Sequence, residues 1–192
     1  MSYEVDVRAI QKFGELELQA LSEVLIDCVE GGASVSFMLP MTRGKALTYW
    51  REVAASATRC ERIVLAAYDA AETIVGTVQV LFAQPENQLH RADVAKMLVH
   101  RRGRRRGVGA ELLVAAERHA LRSGKTLLVL DTASADAERL YVRQGWQLCG
   151  RIPEYAFMPD GAPCATTVYY KSLRGPGGPA TAQYAATSSG RA

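Results

Sequence analysis

The chain has 192 residues, of which 48% are hydrophobic and 22% charged, and its net charge is +3. This is the composition of an ordinary globular protein, long enough to bury a complete core without disulfides or metals. No apolar run is long enough to span a bilayer, and the first residues lack the pattern of a signal peptide, so we expect a cytoplasmic protein without membrane contact.

The four cysteines are far apart in the chain and do not have the spacing of a metal site. Cys28, Cys60, Cys149 and Cys164 form no CxxC pair and have no histidine at ligand spacing. We expect reduced, buried thiols, and we predict neither a disulfide framework nor a bound metal.

Hydrophobic periodicity predicts one domain of strands and helices over residues 1–173. In chain order the predicted elements are a strand at 5–9, helices at 15–30 and 43–58, strands at 63–68, 73–82 and 91–99, a helix at 107–123, a strand at 126–130, a helix at 135–144, and strands at 146–152 and 166–173. Between the last two strands, EYAFMPDGAP carries the turn signal P-D-G and is predicted to be a loop. Residues 174–192 are rich in Gly, Ala, Pro and Ser and are predicted to be a disordered tail.

The most informative segment is residues 97–109, which read M-L-V-H-R-R-G-R-R-R-G-V-G. It follows an apolar strand and opens an amphipathic helix, so main-chain amides without helical partners converge at the helix N-terminus. Such a position binds phosphate, and Gly107 and Gly109 allow a pyrophosphate to approach the backbone. Positive charge at the rim comes from Arg104, Arg105 and Arg106. The element order differs from that of a doubly wound dinucleotide-binding fold, which would also use an acidic residue to bind the ribose.

A basic turn of this kind is also found in nucleic-acid-binding proteins, because arginine clusters attract phosphate backbones. No aromatic residues are interleaved with these arginines, and charge attraction alone does not require glycines at the start of a helix. We therefore favour a phosphate-bearing cofactor and predict no nucleic-acid partner.

Two motifs, at residues 104–109 and 137–146, resemble in sequence and in order those of the GNAT-type N-acetyltransferase superfamily. Arg104-x-x-Gly107-x-Gly109 matches the pyrophosphate-binding pattern Q/R-x-x-G-x-G/A of that superfamily. Downstream, Ala137-x-x-Leu140-Tyr141-x-x-x-Gly145-Trp146 is similar to A-x-x-L-Y-x-x-x-G-F. Many members have Asn where this chain has Ser134. The two motifs together are far more specific than either alone.

Further segments narrow this resemblance to the tabtoxin-resistance acetyltransferases and their bacterial relatives. They are residues 31–38, 89–94, 130–132 and 153–161. The resemblance implies the α/β (α+β) GNAT acyl-CoA N-acyltransferase fold, a mixed central sheet of about seven strands flanked by about four helices. It also implies acetyl-CoA (coenzyme A) as cosubstrate, a small-molecule amine as acceptor, and a monomer or homodimer.

The resemblance implies that Tyr141 is the general acid that protonates the CoA thiolate, since a phenol keeps its proton at neutral pH. The general base is expected to be a carboxylate, and the sequence leaves two candidates. Asp93 lies six residues before Val99 on the fourth predicted strand, and Asp131 follows the apolar fifth strand. Each is equally compatible with an ion pair at a strand end, for which Arg91 is the obvious partner.

Further residues are assigned to the acetyl-CoA site along the fourth strand, the glycine loop and the start of the fourth helix. They are Met97, Leu98, Val99, Arg104, Arg105, Arg106, Gly107, Val108, Gly109, Ser134 and Ala137. A family-type β-bulge near residues 97–99 is expected to turn the Val99 amide toward the thioester carbonyl.

Candidates for binding the amine lie in a loop after the first helix and at the start of the fourth strand. They are Ser34, Ser36, Phe37, His90 and Arg91. The alternative for the loop is that it only covers the core, and the alternative for His90 and Arg91 is that they are simply solvated.

We therefore expect an acetyl-CoA-dependent N-acetyltransferase that acts on the primary amine of a small amino-acid-like molecule, a toxin, an antibiotic or a metabolite. Transfer is expected to be direct, in a ternary complex, because no cysteine has a nearby base in the sequence that would indicate an acyl-enzyme. Two alternatives stay open: an acetyltransferase of protein N-termini or lysines, and a non-catalytic acyl-CoA-binding module.

Overall fold

The computed structural model describes residues 4–174, so the predicted tail at 174–192 lies outside the described residues apart from Arg174. The strands are β1 (Asp6–Ala9), β2 (Arg62–Tyr68), β3 (Ile74–Leu81), β4 (Arg91–Val99), β5 (Leu127–Thr132), β6 (Gln147–Phe157) and β7 (Pro163–Ser172). The helices are α1 (Glu15–Glu30), α2 (Arg43–Thr58), α3 (Val108–Arg122) and α4 (Ala135–Arg143).

The seven strands form one mixed sheet in the order β1-β2-β3-β4-β5-β7-β6. β4 and β5 are parallel to each other, and the other neighbouring pairs are antiparallel. With its four helices, this architecture confirms the predicted α/β fold with a mixed seven-stranded sheet. Within residues 4–174, no helix is long and apolar enough to cross a bilayer.

Helices cover both faces of the sheet because its central strands are apolar on both sides. In β2, Val64 and Ala66 belong to the core beneath α1 and α2, whereas Leu65 and Ala67 belong to the core beneath α3 and α4. Successive side chains of a strand point to opposite faces, so a continuous apolar run is the pattern of a strand buried on both sides.

The sheet opens between β4 and β5, and this opening positions the site. The two strands pair only where residues 91–93 meet residues 127–129. Beyond those pairs, β4 continues to Val99 and β5 continues to Thr132 without pairing with each other. Because the carboxyl ends of parallel strands lie at one edge of a sheet, the N-termini of α3 and α4 meet at the same opening.

The hairpin of β6 and β7 is longer than the sequence indicates. β6 continues to Phe157 and β7 begins at Pro163. The prediction that EYAFMPDGAP is a loop is therefore wrong for half of the segment, and the connection between the two strands consists of residues 158–162.

The reason for the difference is a β-bulge in β6. The register against β7 shifts between Ile152 and Ala156, and Glu154 has a φ of +51°. A bulge interrupts the apolar alternation by which a strand is recognised. Pro153 is tolerated there because β6 is an edge strand with no second neighbour to bond.

The four cysteines are free, but the prediction that they are buried is wrong for two of them. Cys28 is buried and Cys164 is half-buried, whereas Cys60 and Cys149 are exposed. Cys60 lies in the turn after α2 and Cys149 on the edge strand β6, where an apolar residue has no layer above it.

Candidate active site

A cleft of about 1370 Å³ lies where β4 and β5 diverge. Its walls are the α1–α2 loop, the second half of β4, the loop before α3, the end of β5 and one face of α4. The predicted site residues that line it are Ser34, Ser36, Phe37, Met97, Leu98, Val99, Arg104, Arg105, Gly107, Val108, Gly109, Asp131, Ser134, Ala137 and Tyr141. The structure therefore brings both sequence motifs and the 31–38 loop into one cavity.

The N-terminus of α3 has the geometry of an anion-binding site. Gly107 is the N-cap with φ +86° and ψ −11°, and it offers no side chain to the helix amides. Ala110 and Glu111 donate to the Gly107 carbonyl at 2.9 and 3.2 Å, whereas the Val108 and Gly109 amides come before the first amide that has an acceptor within the helix. A Cβ on Gly107 would meet no atom within 4 Å, so the space beside it is open. Amides, helix dipole and nearby arginines together fit the pyrophosphate of CoA.

Gly109 has a packing role in addition to the role predicted for it. A Cβ at this position would lie 3.0 Å from Cδ2 of Leu140 in α4. The missing side chain therefore lets α3 approach α4 closely. Since Leu140 is adjacent to Tyr141, this contact fixes the second motif relative to the first.

A buried carboxylate on α1 organises the arginine loop. The Asp27 side chain is 8% exposed, and it accepts from the Arg101 amide at 2.8 Å and from the Arg101 guanidinium. The Arg104 guanidinium lies 3.9 Å from the same carboxylate and donates to the Val99 carbonyl at 3.0 Å. Asp27 thus ties the loop to the helix behind it, a role that the sequence analysis missed.

Replacing Asp27 with asparagine is expected to weaken acetyl-CoA binding. The change keeps the shape of the side chain but removes the charge that holds Arg101 and attracts Arg104. If the loop is no longer held in place, the binding free energy of acetyl-CoA is expected to weaken by about 1–2 kcal/mol, which corresponds to a roughly 5- to 30-fold increase in its Kd. Isothermal titration calorimetry measures this Kd and does not require that the acceptor be known. The matched control is Glu30→Gln, an exposed carboxylate on the same helix; equal Kd values for the two variants would contradict the role of Asp27.

Tyr141 lies on the inner face of α4 and lines the cleft. Its side chain is 4% exposed, and its ring packs against Trp146 and Tyr169 with centroid distances of 5.9 and 5.8 Å. Burial, with a contribution from the Asp131 carboxylate, raises the pKa of Tyr141 above its ordinary value. The phenol therefore holds its proton, which is the state that a general acid needs.

Asp131 lies near the end of β5, and its side chain faces the same cleft. The Thr166 hydroxyl of β7 donates to its Oδ2 at 2.7 Å. This bond orients the carboxylate, and the second oxygen provides a further acceptor inside the cleft.

Four predicted site residues do not line the cleft: Asp93, His90, Arg91 and Arg106. Arg91 forms an ion pair with Asp93, and the Gln84 side-chain amide donates to Asp93 at 3.0 Å. His90 is exposed at the start of β4. The sequence left two roles open for Asp93, a general base or an ion pair with Arg91, and the structure shows the ion pair. Of the two candidate bases, Asp131 is the one in the cleft.

The α1–α2 loop and the β6–β7 hairpin together form the wall of one end of the cleft. The Ser34 hydroxyl donates to the Phe157 carbonyl at 2.9 Å, and the Leu39 amide donates to the Pro159 carbonyl at 2.9 Å. Phe37 also lines this end. The loop and the β6–β7 hairpin are therefore joined across the cleft.

β4 carries a β-bulge beside the cleft. Its register against β3 shifts so that Lys96 and Met97 together oppose Val78. The predicted bulge at 97–99 thus begins one residue earlier. Lys96 has a φ of +50°, and its ammonium donates to the Ser36 hydroxyl oxygen at 3.1 Å. Sequence reasoning did not select this lysine.

Ser134 and Ala137 are held together at the start of α4. Ser134 is the N-cap, and its hydroxyl oxygen accepts from the Ala137 amide at 3.4 Å. Side-chain capping of this kind stabilises a helix N-terminus. Both residues line the cleft, so Ser134 combines a position in the predicted site with a structural role.

A sequence model of the acetyltransferase (GNAT) family matches residues 34–146 of the chain. Similar solved structures include an N-acetyltransferase from Staphylococcus aureus Mu50, with 14% identity, a TM-score of 0.74, and coverage of 89% of this chain and 99% of that chain. A ribosomal-protein-alanine N-acetyltransferase from Brucella melitensis has 21% identity, a TM-score of 0.72, and coverage of 86% and 98%. A GNAT superfamily phosphinothricin acetyltransferase from Sinorhizobium meliloti, in complex with acetyl-CoA, has 14% identity, a TM-score of 0.72, and coverage of 88% of each chain.

At these identities the solved structures establish the shared fold. The family match goes further, because it spans more than half of the chain and includes both motifs and most of the cleft. The cleft also has an anion-binding helix N-terminus where the family pattern requires one. The chain therefore belongs to the GNAT family of acetyltransferases.

Proposed function

We propose that this acetyltransferase transfers the acetyl group directly to the primary amine of a small amino-acid-like molecule, such as a toxin, an antibiotic or a metabolite. The observation that carries the proposal is the bounded acceptor end of the cleft. There the α1–α2 loop and the β6–β7 hairpin are joined by hydrogen bonds from Ser34 to Phe157 and from Leu39 to Pro159. A polypeptide acceptor needs an open groove, whereas a bounded pocket suits a small molecule.

The lining of this end supports a small acceptor. Small-molecule pockets combine apolar walls with a few polar groups that fix orientation. The apolar residues here are Phe37, Met38, Tyr155 and Phe157, and the polar ones are Ser36, Lys96, Asp131 and Thr166. The Sinorhizobium neighbour, named as a phosphinothricin acetyltransferase, agrees with this assignment. The Brucella neighbour, named for ribosomal-protein alanine, makes a polypeptide acceptor the alternative to test.

The residues at the other end of the cleft fit acetyl-CoA. The amides of Val108 and Gly109, together with Arg104, suit its pyrophosphate. The main chain of β4 beyond its pairing with β5 suits the amide-bearing pantetheine arm. When bound, acetyl-CoA supplies a thioester carbonyl that a neutral amine attacks.

Two side chains are assigned to the protons of the reaction. Asp131, oriented by Thr166, accepts a proton from the acceptor ammonium at a carboxylate oxygen, because only the neutral amine is a nucleophile. Tyr141 holds a proton at its hydroxyl oxygen, since burial raises its pKa, and donates it to the leaving sulfur.

The cysteines support transfer without an acyl-enzyme. Among the four, Cys28 is the one that lines the cleft. Burial raises the pKa of its thiol above the ordinary value, and the thiol donates to the Val99 carbonyl at 3.5 Å. A protonated thiol is a poor nucleophile, so Cys28 is not expected to carry the acetyl group.

The test is an acceptor panel with acetyl-CoA. Small amines, amino acids and peptides with free N-termini are incubated with the enzyme, free thiol release is followed, and products are identified by mass spectrometry. We expect acetylated small molecules and no acetyl group on the protein. Turnover of peptides alone would replace the proposal with a polypeptide acceptor. Acetyl-cysteine on the enzyme would overturn direct transfer.

A further inference from the structure

Lys96 is a half-buried cation at the acceptor end of the cleft. Its ammonium donates to the Ser36 hydroxyl oxygen at 3.1 Å, and no carboxylate of residues 4–174 forms an ion pair with it. Burial lowers the pKa of Lys96, and the nearby Asp131 carboxylate opposes that effect. Removing an ammonium from water without a counter-ion is unfavourable. The position is therefore suited to receive an anion from outside the chain.

The backbone at both ends of this hydrogen bond is strained. Lys96 has a φ of +50° and Ser36 a φ of +74°, a region that side-chain-bearing residues rarely adopt. Such conformations persist where the surroundings hold them, and they concentrate at ligand sites. Here the β4 bulge and the α1–α2 loop each present one strained polar residue to the same point in the cleft.

We propose that Lys96 binds a carboxylate of the acceptor, so that the enzyme selects amines that carry a carboxylate beside the reacting nitrogen, as amino acids do. This inference rests on the proposed function and names the group that the site recognises. An ammonium has three donors, of which Ser36 takes one. The Ser36 hydroxyl, which accepts from Lys96, keeps its own proton to donate to the same carboxylate.

The position of Asp131 completes the charge pattern. It lies near enough to Lys96 to affect the pKa of the ammonium, and the Thr166 hydroxyl donates to one of its two oxygens. An amino acid carries its ammonium and carboxylate on one carbon, so its recognition needs a carboxylate and a cation at neighbouring positions. Asp131 receives the ammonium and Lys96 receives the carboxylate.

The other cations that line the cleft belong to different elements from Lys96. These elements are the loop before α3 and helix α4, and the cations are Arg104, Arg105, Arg139 and Arg143. Arg104 donates to the Val99 carbonyl, and Arg139 forms an ion pair with Asp136. Among the described lining residues, Lys96 is thus the cation that lies between the α1–α2 loop and Asp131.

The first test needs no variant. The wild-type enzyme is assayed with acetyl-CoA and the common L-amino acids, each paired with its carboxamide, which keeps the amine and side chain but lacks the charge. We expect the accepted amino acids to have a kcat/KM at least about tenfold above that of their carboxamides. Equal or faster turnover of the carboxamides overturns the role of Lys96 and leaves the proposed function intact.

Variants of Lys96 then test whether this residue causes the preference for amino acids over their carboxamides. Lys96→Met and Lys96→Gln are expected to raise the KM for amino acids about 10- to 100-fold and to change kcat/KM for the carboxamides far less, so that the preference for the acid is lost, whereas Lys96→Arg retains part of the discrimination. Lys12→Met, at an exposed lysine outside the cleft, is the matched control. An equal loss with both members of a pair would assign Lys96 a structural or catalytic role instead. If both neutral variants fail to fold, the wild-type comparison decides.

A binding measurement separates this inference from the proposed function. N-acetyl-L-amino acids and their carboxamides are titrated calorimetrically into the CoA-saturated enzyme, since these product analogues carry the carboxylate but need no turnover. Tight binding of the acids and weak binding of the carboxamides supports the carboxylate site even if no small amine is acetylated. Absence of binding by the acids, or equal binding of both, overturns it.

Discussion

Replacing Tyr141 with phenylalanine is expected to lower kcat by about 10²- to 10⁴-fold, the usual contribution of a general acid. The change removes the hydroxyl that donates the proton and keeps the ring that packs against Trp146 and Tyr169. The KM values are expected to change little. Because the pKa of Tyr141 is raised, the wild-type enzyme is expected to show no rate loss from Tyr141 ionisation below about pH 10. Steady-state kinetics across pH, with the best acceptor of the panel, measure both effects.

The matched control is Tyr169→Phe. Tyr169 contacts Tyr141 but does not line the cleft, and its hydroxyl donates to Glu138 at 3.3 Å. This variant is expected to keep the wild-type kcat. If Tyr141→Phe also kept it, Tyr141 would be a packing residue and the proton donor would have to be sought elsewhere in the cleft.

The elements that the sequence predicts best are those whose pattern is local. α1, α2 and β4 have the predicted bounds, because a long amphipathic helix or an apolar strand carries its periodicity within itself. β6 is longer than predicted. Its second half lies beyond a bulge and is a strand because it pairs with β7. That pairing is a tertiary property, and no window of the sequence contains it.

The same distinction separates the predicted from the missed site residues. The pyrophosphate loop and Tyr141 lie in contiguous motifs that can be recognised along the chain. Asp27 and Lys96 act through partners 74 and 60 residues away. Weak signals were present nonetheless: an acidic residue on the buried face of α1, and a lysine within an otherwise apolar stretch of β4.

The choice between the two candidate bases depended on where the sheet opens. Asp93 pairs with Val129 in the part where β4 and β5 are still joined. Asp131 lies two residues beyond that point, where the strands have diverged and a cleft exists. Sequence predicts both strands but not the residue at which they separate, because the end of their pairing is a property of the tertiary structure.

Replacing Asp131 with asparagine is expected to lower kcat/KM at neutral pH by about 10²- to 10⁴-fold. The amide oxygen of asparagine can still accept from the Thr166 hydroxyl, so the side chain stays oriented, but it cannot take a proton. The deficit is expected to shrink as pH rises toward the pKa of the acceptor amine, because solution then supplies the neutral nucleophile. The pH–rate profiles of wild type and variant measure it.

Asp93→Asn is the control that decides the alternative. Asp93 is paired with Arg91 outside the cleft lining, in a partly exposed ion pair of a kind that contributes at most about 1 kcal/mol to stability. Its loss is expected to lower the Tm slightly and to leave the pH–rate profile unchanged. If instead Asp93→Asn removed activity in a pH-dependent way and Asp131→Asn did not, the base would act from the paired part of β4. The amine would then have to bind on the far side of the Arg91 ion pair, a position that the observed cleft does not reach.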